Sequence, residues 1–276
     1  MNNNPGGNMK DFVESNTLVA KLSFLLLVIF IFVLVLRLGI SLITWMLSPS
    51  DSPHLITGMV DAKQLLIFTQ DPESSSSKTI ARSVNANDGI EFTWSVWIYI
   101  DDLEYGKGKY KHIFSKGNSD VQDNGLIFPN NAPGLYISPF KNDLVVIMNT
   151  HNVINEEVII NDIPLNKWVN VIIRCQNDVL DVYINGTITR SIKLNGVPKQ
   201  NYGDVYVAMN GGFSGNISNL WYYNYALGTT AIQSLSRQGP NLKFTGNTAF
   251  NILNPNYLSL RWYFYGQDPS MTKINT

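Results

Sequence analysis

The residues of this 276-residue chain that could do covalent or metal chemistry are three histidines, one cysteine and scattered acids. Their spacing argues against it. A retaining glycosidase needs two carboxyl groups about 5–5.5 Å apart. The i, i+2 acidic pairs here, Asp71/Glu73 and Asp102/Glu104, sit in loop-like sequence beside Pro or Gly. His54, His112 and His151 are far apart and form no His-x-x-x-His pair for zinc. No Gly-x-Ser-x-Gly elbow or phosphate loop is present. Cys175 falls on the apolar side of an alternating run, where a lone thiol reads as a small buried hydrophobe. A net charge of −1 offers no basic stripe for nucleic acid.

The elements behind these residues are strands. In residues 167–194, Val169, Val171, Ile173 and Cys175 alternate with Trp168, Asn170, Ile172 and Arg174. That period of two is the mark of a half-buried strand. A polar turn at 176–178 leads to Leu180, Val182 and Ile184, which alternate with Asp181 and Tyr183 up to Asn185-Gly186. Asn-Gly between such runs predicts a type I′ hairpin, because both central residues need positive φ. The return strand puts Ile188, Arg190, Ile192 and Leu194 on one side. Upstream, Ile90, Phe92, Trp94, Val96, Ile98 and Ile100 share one face. Trp97 and Tyr99 on the other face predict a second covering layer. Further short strands are expected at 64–68, 134–138, 143–149, 157–160, 204–209 and 215–223, with a helix at 229–236 capped by Thr229 or Thr230. Residues 117–133 read as a long polar loop.

Ahead of the strands lies a different kind of sequence. Residues 22–36 carry no charge, and 38–47 continue apolar after Arg37. About 20 helical residues cross a ~30 Å hydrocarbon core, so this predicts one transmembrane helix. Lys10 and Lys21 precede the core of the span, whereas Asp51, His54 and Asp61 follow it. The positive-inside rule then puts the N-terminus inside and the large domain outside. Arg37 either contacts a partner helix or snorkels to the interface. The expected organisation is a polar tail (1–17), transmembrane helix (18–47), linker (48–58), β-sandwich (59–239) and C-terminal extension (240–276). In the extension, Leu258, Leu260, Trp262 and Phe264 alternate as a terminal strand would.

Four stretches carry a family resemblance: 92–98, 112–117, the Tyr183-Ile-Asn-Gly186 strand end, and 213–227 with its closing Ala226-Leu227. In this order they resemble the laminin-G-like group of concanavalin A-like lectin/glucanase domains. The fold expectation is therefore all-β: a concanavalin A-like (laminin-G-like) antiparallel β-sandwich, or jelly roll, behind one N-terminal transmembrane helix. Glycoside hydrolases on this fold usually place a Glu-x-Asp-x-(x)-Glu triple on one strand. No such triple occurs here, so a non-enzymatic protein is expected. The resemblance makes calcium the one candidate ion, with Asp120, Asp123 and Asn210 as oxygen ligands; ordinary loop polarity explains the same residues.

Two binding functions compete. The first is a structural protein similar to the membrane-anchored minor capsid or envelope proteins of large DNA viruses, tying a lipid membrane to an outer protein shell. Its partners would be lipid and other capsid proteins, its place the virion membrane beneath the capsid. Lys107, Lys109 and Lys111 would then meet an acidic partner or lipid headgroups, provided 101–111 is extended; a lysine-guarded edge is the plainer reading. The alternative is a membrane-anchored carbohydrate-binding (lectin or adhesion) module, with Trp97, Trp221, Tyr222 and Tyr223 stacking on glycans. Core packing explains these aromatics equally well. No nucleic-acid partner is expected.

Overall fold

The computed structural model describes residues 18–48, 50–74 and 77–245. The expectations for the tail 1–17 and for Leu258, Leu260, Trp262 and Phe264 lie outside these residues. The chain divides after Ser48 into two compact units.

The first unit is helix α1 (Leu18–Leu47), 30 residues long. Over Leu18–Met46 its mean hydropathy is 3.0, long and apolar enough to cross a membrane by length and composition. Phe30, Phe32 and Trp45 are exposed, so the helix is apolar all round.

The second unit is a sandwich of two antiparallel sheets. Sheet A has the order β1 (His54–Asp61), β13 (Gly215–Tyr223), β4 (Gly89–Ile100), β9 (Trp168–Asn177), β10 (Val179–Ile184) and β11 (Thr187–Lys193), with β3 (Val84–Ala86) hairpinned onto the start of β4. Sheet B runs β2 (Leu66–Phe68), β12 (Asp204–Val207), β5 (Lys111–Gly117), β6 (Asn131–Ile137), β7 (Leu144–Met148) and β8 (Glu156–Ile160). The core lies between the sheets. All six apolar residues read on one face of β4 are in it, and Trp94 reaches across to Phe114 (5.1 Å between centroids) and Tyr222 (4.8 Å). Burying one such aromatic is worth about 1.5–3 kcal/mol.

The predicted hairpin forms where Asn185 (φ 51°) and Gly186 (φ 79°) supply the two positive φ angles. One detail of the return strand differs. The pairing slips between Val182↔Arg190 and Tyr183↔Ile188, so Thr189 is the extra residue of a β-bulge. The bulge moves Ile188 off the core side and leaves it exposed, while Ile192 stays packed against the core.

Helix α2 (Thr229–Gln238) packs on the outer face of sheet A, while Trp97 is buried on that face and Tyr99 packs on Trp168 (5.5 Å between centroids). Leu227 and Ile232 pack on Ile172 and Tyr183. Thr93 fixes the approach, donating from Oγ1 to Tyr225 O (3.0 Å) and accepting from Leu227 N (3.0 Å). Gly228, not a threonine, occupies the N-cap, and no side chain caps the helix. The stretch read as the long loop 117–133 is more structured than that. A Val121↔Ile127 bridge folds it into a flap, and Leu126 closes over Tyr136, Val145 and Ile147 on the outer face of sheet B.

Strand β1 begins inside the stretch read as a linker. Leu55 and Ile56 are core residues, and register shifts after His54 and after Ile56 break the period of two that would have revealed the strand.

Candidate functional site

On the outer face of sheet A the Cα partners fall into ranks. One rank is Tyr223, Thr93, Arg174, Asp181 and Ser191; the next is His54, Trp221, Ser95, Ile172, Tyr183 and Ile188. Helix α2 packs on Ile172 and Tyr183 of the second rank. At the β1/β13 side the ranks end in aromatic rings, of which Tyr223 packs against the edge of the α2 cluster. His54 stacks on Trp221 (3.7 Å, 13°), Trp221 is followed by Tyr223 (6.0 Å, 16°), and Tyr225 meets Tyr223 edge-on (5.9 Å, 74°). Tyr225, at the end of this strip, is 40% exposed. Asn224 lies between the tyrosines in sequence and donates from Nδ2 to Asp51 Oδ1 (3.0 Å), while its N–H bonds Asp51 O (3.0 Å). The strip thus combines ring faces with an exposed amide–carboxylate pair.

Its electrostatics keep the rings uncharged. Burial, then the nearby Lys78 ammonium, pushes His54 from 6.5 down to about 4, so at neutral pH it is a neutral stacking ring. Burial lowers Lys78 to about 8, and its Nζ donates to the carbonyls of His54 and Leu55. Tyr223 is raised by burial to about 12 and stays a phenol.

Of the four aromatics read as stackers, Trp221 and Tyr223 belong to the strip. Trp97 shares the outer face but is buried, 8% exposed. Tyr222 points the other way, into the core, with its Oη bonded to Ser83 Oγ (3.1 Å). The sequence reading missed His54, Tyr225 and the Asn224–Asp51 pair. Tyr225 carried a usable signal, since it continues the period of two from Trp221 and Tyr223. His54 sat in a Ser/Pro-rich stretch that gave none.

The remaining candidates are dispersed. Lys107 pairs with Glu104 (2.9 Å) in a run of turns. Lys109 is exposed, whereas Lys111 opens β5 and is buried, its Nζ 3.4 Å from Ser138 O and Pro139 O. The three lysines therefore share no common face. Arg37 is an exposed residue of α1. Asp120 and Asp123 are exposed in the flap, and Asn210 is exposed in the turn after β12 with φ 54°. Among the described residues, no three His, Cys, Asp or Glu side chains gather as a metal-holding group. Asp181 is the one acid of β9–β11, and its two oxygens accept from Arg174 (2.8 Å) and Ser191 (2.6 Å). That carboxylate is engaged in a structural network and is not poised for general acid–base work.

A family model for the concanavalin A-like lectin/glucanases superfamily matches residues 72–233. The chain belongs to that superfamily. No curated protein matches.

Similar solved structures include the botulinum neurotoxin serotype D ligand-binding domain in complex with N-acetylneuraminic acid (15% identity, TM-score 0.44, covering 70% of this chain and 52% of that one). The receptor-binding domain of a C/D mosaic serotype is another (18%, TM-score 0.42, 54% and 36%), and that of type G a third (13%, TM-score 0.41, 65% and 46%). The chain thus spans no more than about half the length of these domains. Likeness at this level carries no weight for what this chain binds.

The expected kinship with minor capsid or envelope proteins of large viruses is corrected by the family match, which is to a lectin/glucanase superfamily and not to shell proteins. Capsid partners and a virion location fall with that kinship, which rested on composition, the anchor and the lack of disulfides. None of those features distinguishes a shell protein from any other tethered β-sandwich.

Proposed function

We propose that this protein is a membrane-anchored carbohydrate-binding module whose site is the strip His54–Trp221–Tyr223–Tyr225. The observation that carries the reading is a row of neutral rings that runs from half-buried His54, Trp221 and Tyr223 out to the exposed ring of Tyr225. Ligand sites combine apolar and aromatic walls with a few fixed polar groups that set orientation. Here the exposed ring of Tyr225 offers an apolar face to the C–H face of a pyranose. The Asn224 amide and Asp51 carboxylate, joined by one hydrogen bond and held by a second between their backbones, lie within the same strip to meet its hydroxyls. With His54 neutral, the strip suits uncharged sugar faces. Helix α1 would tether the module to a membrane, placing many copies on one surface.

A glycan array probed with the full chain in detergent micelles tests this, followed by titration of the best glycan into wild type and Tyr225→Ala. Binding by wild type that falls at least tenfold in Tyr225→Ala is expected. An array without signal, or equal affinity in the variant, overturns the reading.

A further inference from the structure

The turn that joins β10 to β11 reads Asn185-Gly186-Thr187, the Asn-x-Ser/Thr pattern of an N-glycosylation acceptor. A second match stands at Asn216-Ile217-Ser218, and the fold sets the two apart. Asn216 lies within β13, half-buried, with Asp61 of β1 as its register partner on one side and Tyr99 of β4 on the other. Ser218 is buried, and its Oγ is committed to Asn241, donating to the carbonyl (2.9 Å) and accepting from the N–H (3.0 Å). Asn185 and Thr187 are both exposed, at the tip of a hairpin.

The atoms of Asn185 divide between the turn and the surface. Its N–H donates to Asn170 O (2.9 Å), and its Oδ1 accepts from Asn170 N (2.9 Å). Neither bond uses Nδ2, which has no hydrogen-bond partner among the described residues. A sugar on Nδ2 leaves Oδ1 an acceptor, so both bonds that hold the turn persist. The same exchange at Asn216 would set a bulky group on a half-buried residue flanked by two strands. Access to a glycosylating compartment follows from α1, read as the anchor that carries the sandwich across a membrane. The inference rests on that reading of α1 and not on the glycan strip.

We propose that Asn185 is an N-glycosylation site, modified at Nδ2 while the sandwich is carried across the membrane. The co-reactant is an oligosaccharide linked through pyrophosphate to a membrane lipid, presented by a membrane-bound transferase. Nδ2 forms a bond to the anomeric carbon of the sugar as the bond from that carbon to the pyrophosphate oxygen breaks. The lipid pyrophosphate leaves with the bonding pair, and Nδ2 gives one of its protons to a base of the transferase. The product is a bulky, solubilising group on the exposed hairpin tip, where Ile188 is 51% exposed.

The test translates the full chain in the presence of microsomes that hold the transferase and its lipid-linked donor. Wild type is expected to give a slower-migrating band that an endoglycosidase removes. Thr187→Ala, which takes away the acceptor hydroxyl and leaves Asn185 and its bonds in place, should lose that band, and Asn185→Gln should lose it as well. Thr187→Ser and Asn216→Gln should both keep it. The absence of an endoglycosidase-sensitive band in wild type overturns the proposal, as does a band that survives Thr187→Ala.

Discussion

The backbone N–H of Met209 donates to Nδ1 of His112 at 3.0 Å, and this bond decides which ring nitrogen carries the proton. Nδ1 is an acceptor, so Nε2 bears the hydrogen and donates to Ser115 Oγ at 2.8 Å. The imidazole is fully buried beside Tyr136 (5.2 Å, edge-on), and burial pushes it from 6.5 down to about 3. Protonation would turn Nδ1 into a second donor facing an N–H.

Acid should therefore unfold this domain by a traceable route. The native state keeps His112 neutral down to about pH 3, whereas the unfolded chain protonates it below about 6.5. Its contribution is fully present above 6.5 and is lost as pH falls from there toward 3. The slope is at most about 1.4 kcal/mol per pH unit for one proton. Urea midpoints at pH 7, 5.5 and 4.5 should fall in that order. His112→Gln should start lower by roughly 1–3 kcal/mol and show a shallower slope; a slope identical to wild type would remove His112 from the explanation.

Asp181→Asn is expected to be costly out of proportion to its size. It leaves the Arg174 guanidinium, 18% exposed at its side chain, without its carboxylate. Removing one partner of a largely buried pair costs roughly 3 kcal/mol or more. Chemical denaturation would read this directly. Glycan affinity should not move, since Asp181 lies three positions along its rank from Tyr223 with α2 between.

The hairpin tip should resist side chains. Gly186 has φ 79°, and a Cβ there would sit 3.0 Å from Ser236 Cβ on α2. Gln233 Nε2 also donates to Gly186 O (2.7 Å), tying the turn to the helix. Gly186→Ala combines backbone strain with displacement of α2, and a loss of about 1–2 kcal/mol is expected. Thermal melts of the pair Gly186→Ala and Gly239→Ala, both near φ 75–79° but with nothing within 4 Å of a Cβ at Gly239, would separate strain common to both from the α2 contact.

Binding and stability should part company at adjacent tyrosines. Tyr222→Phe removes an Oη bonded to Ser83 beneath the strip and should cost about 1 kcal/mol of stability with affinity intact. Tyr225→Ala should do the reverse. Measuring both quantities on both variants distinguishes a surface site from a general loosening of the sheet.

What was legible in the sequence followed from periodicity. The six core positions of β4 and the Asn185-Gly186 turn were plain because each strand there is long enough to show its pattern and each turn residue has one backbone use. Trp97 and Trp221 looked alike in sequence, yet one is buried and the other lines the strip, a difference made by tertiary packing that periodicity does not record. Tyr222 was assigned to the wrong side because adjacent aromatics leave the phase of a strand ambiguous, and a register shift between Ser218 and Trp221 obscured it further. His54 and Thr189 were lost for a related reason: bulges shift phase, and composition does not record phase. The lysines of 101–111 failed as a patch because turns, not a strand, connect them.

The pairing of β1 with β13 has a consequence for biogenesis. During synthesis the first strand of the domain emerges long before the partner that completes its sheet. Until then its apolar face, with Leu55, Ile56 and Val60, has no permanent neighbour on that side. Pairings this distant in sequence make closure slow relative to local structure. A nascent chain halted anywhere before residue 215 would hold β1 as an open edge, vulnerable to proteases and to other nascent chains, and dependent on whatever chaperone shelters it.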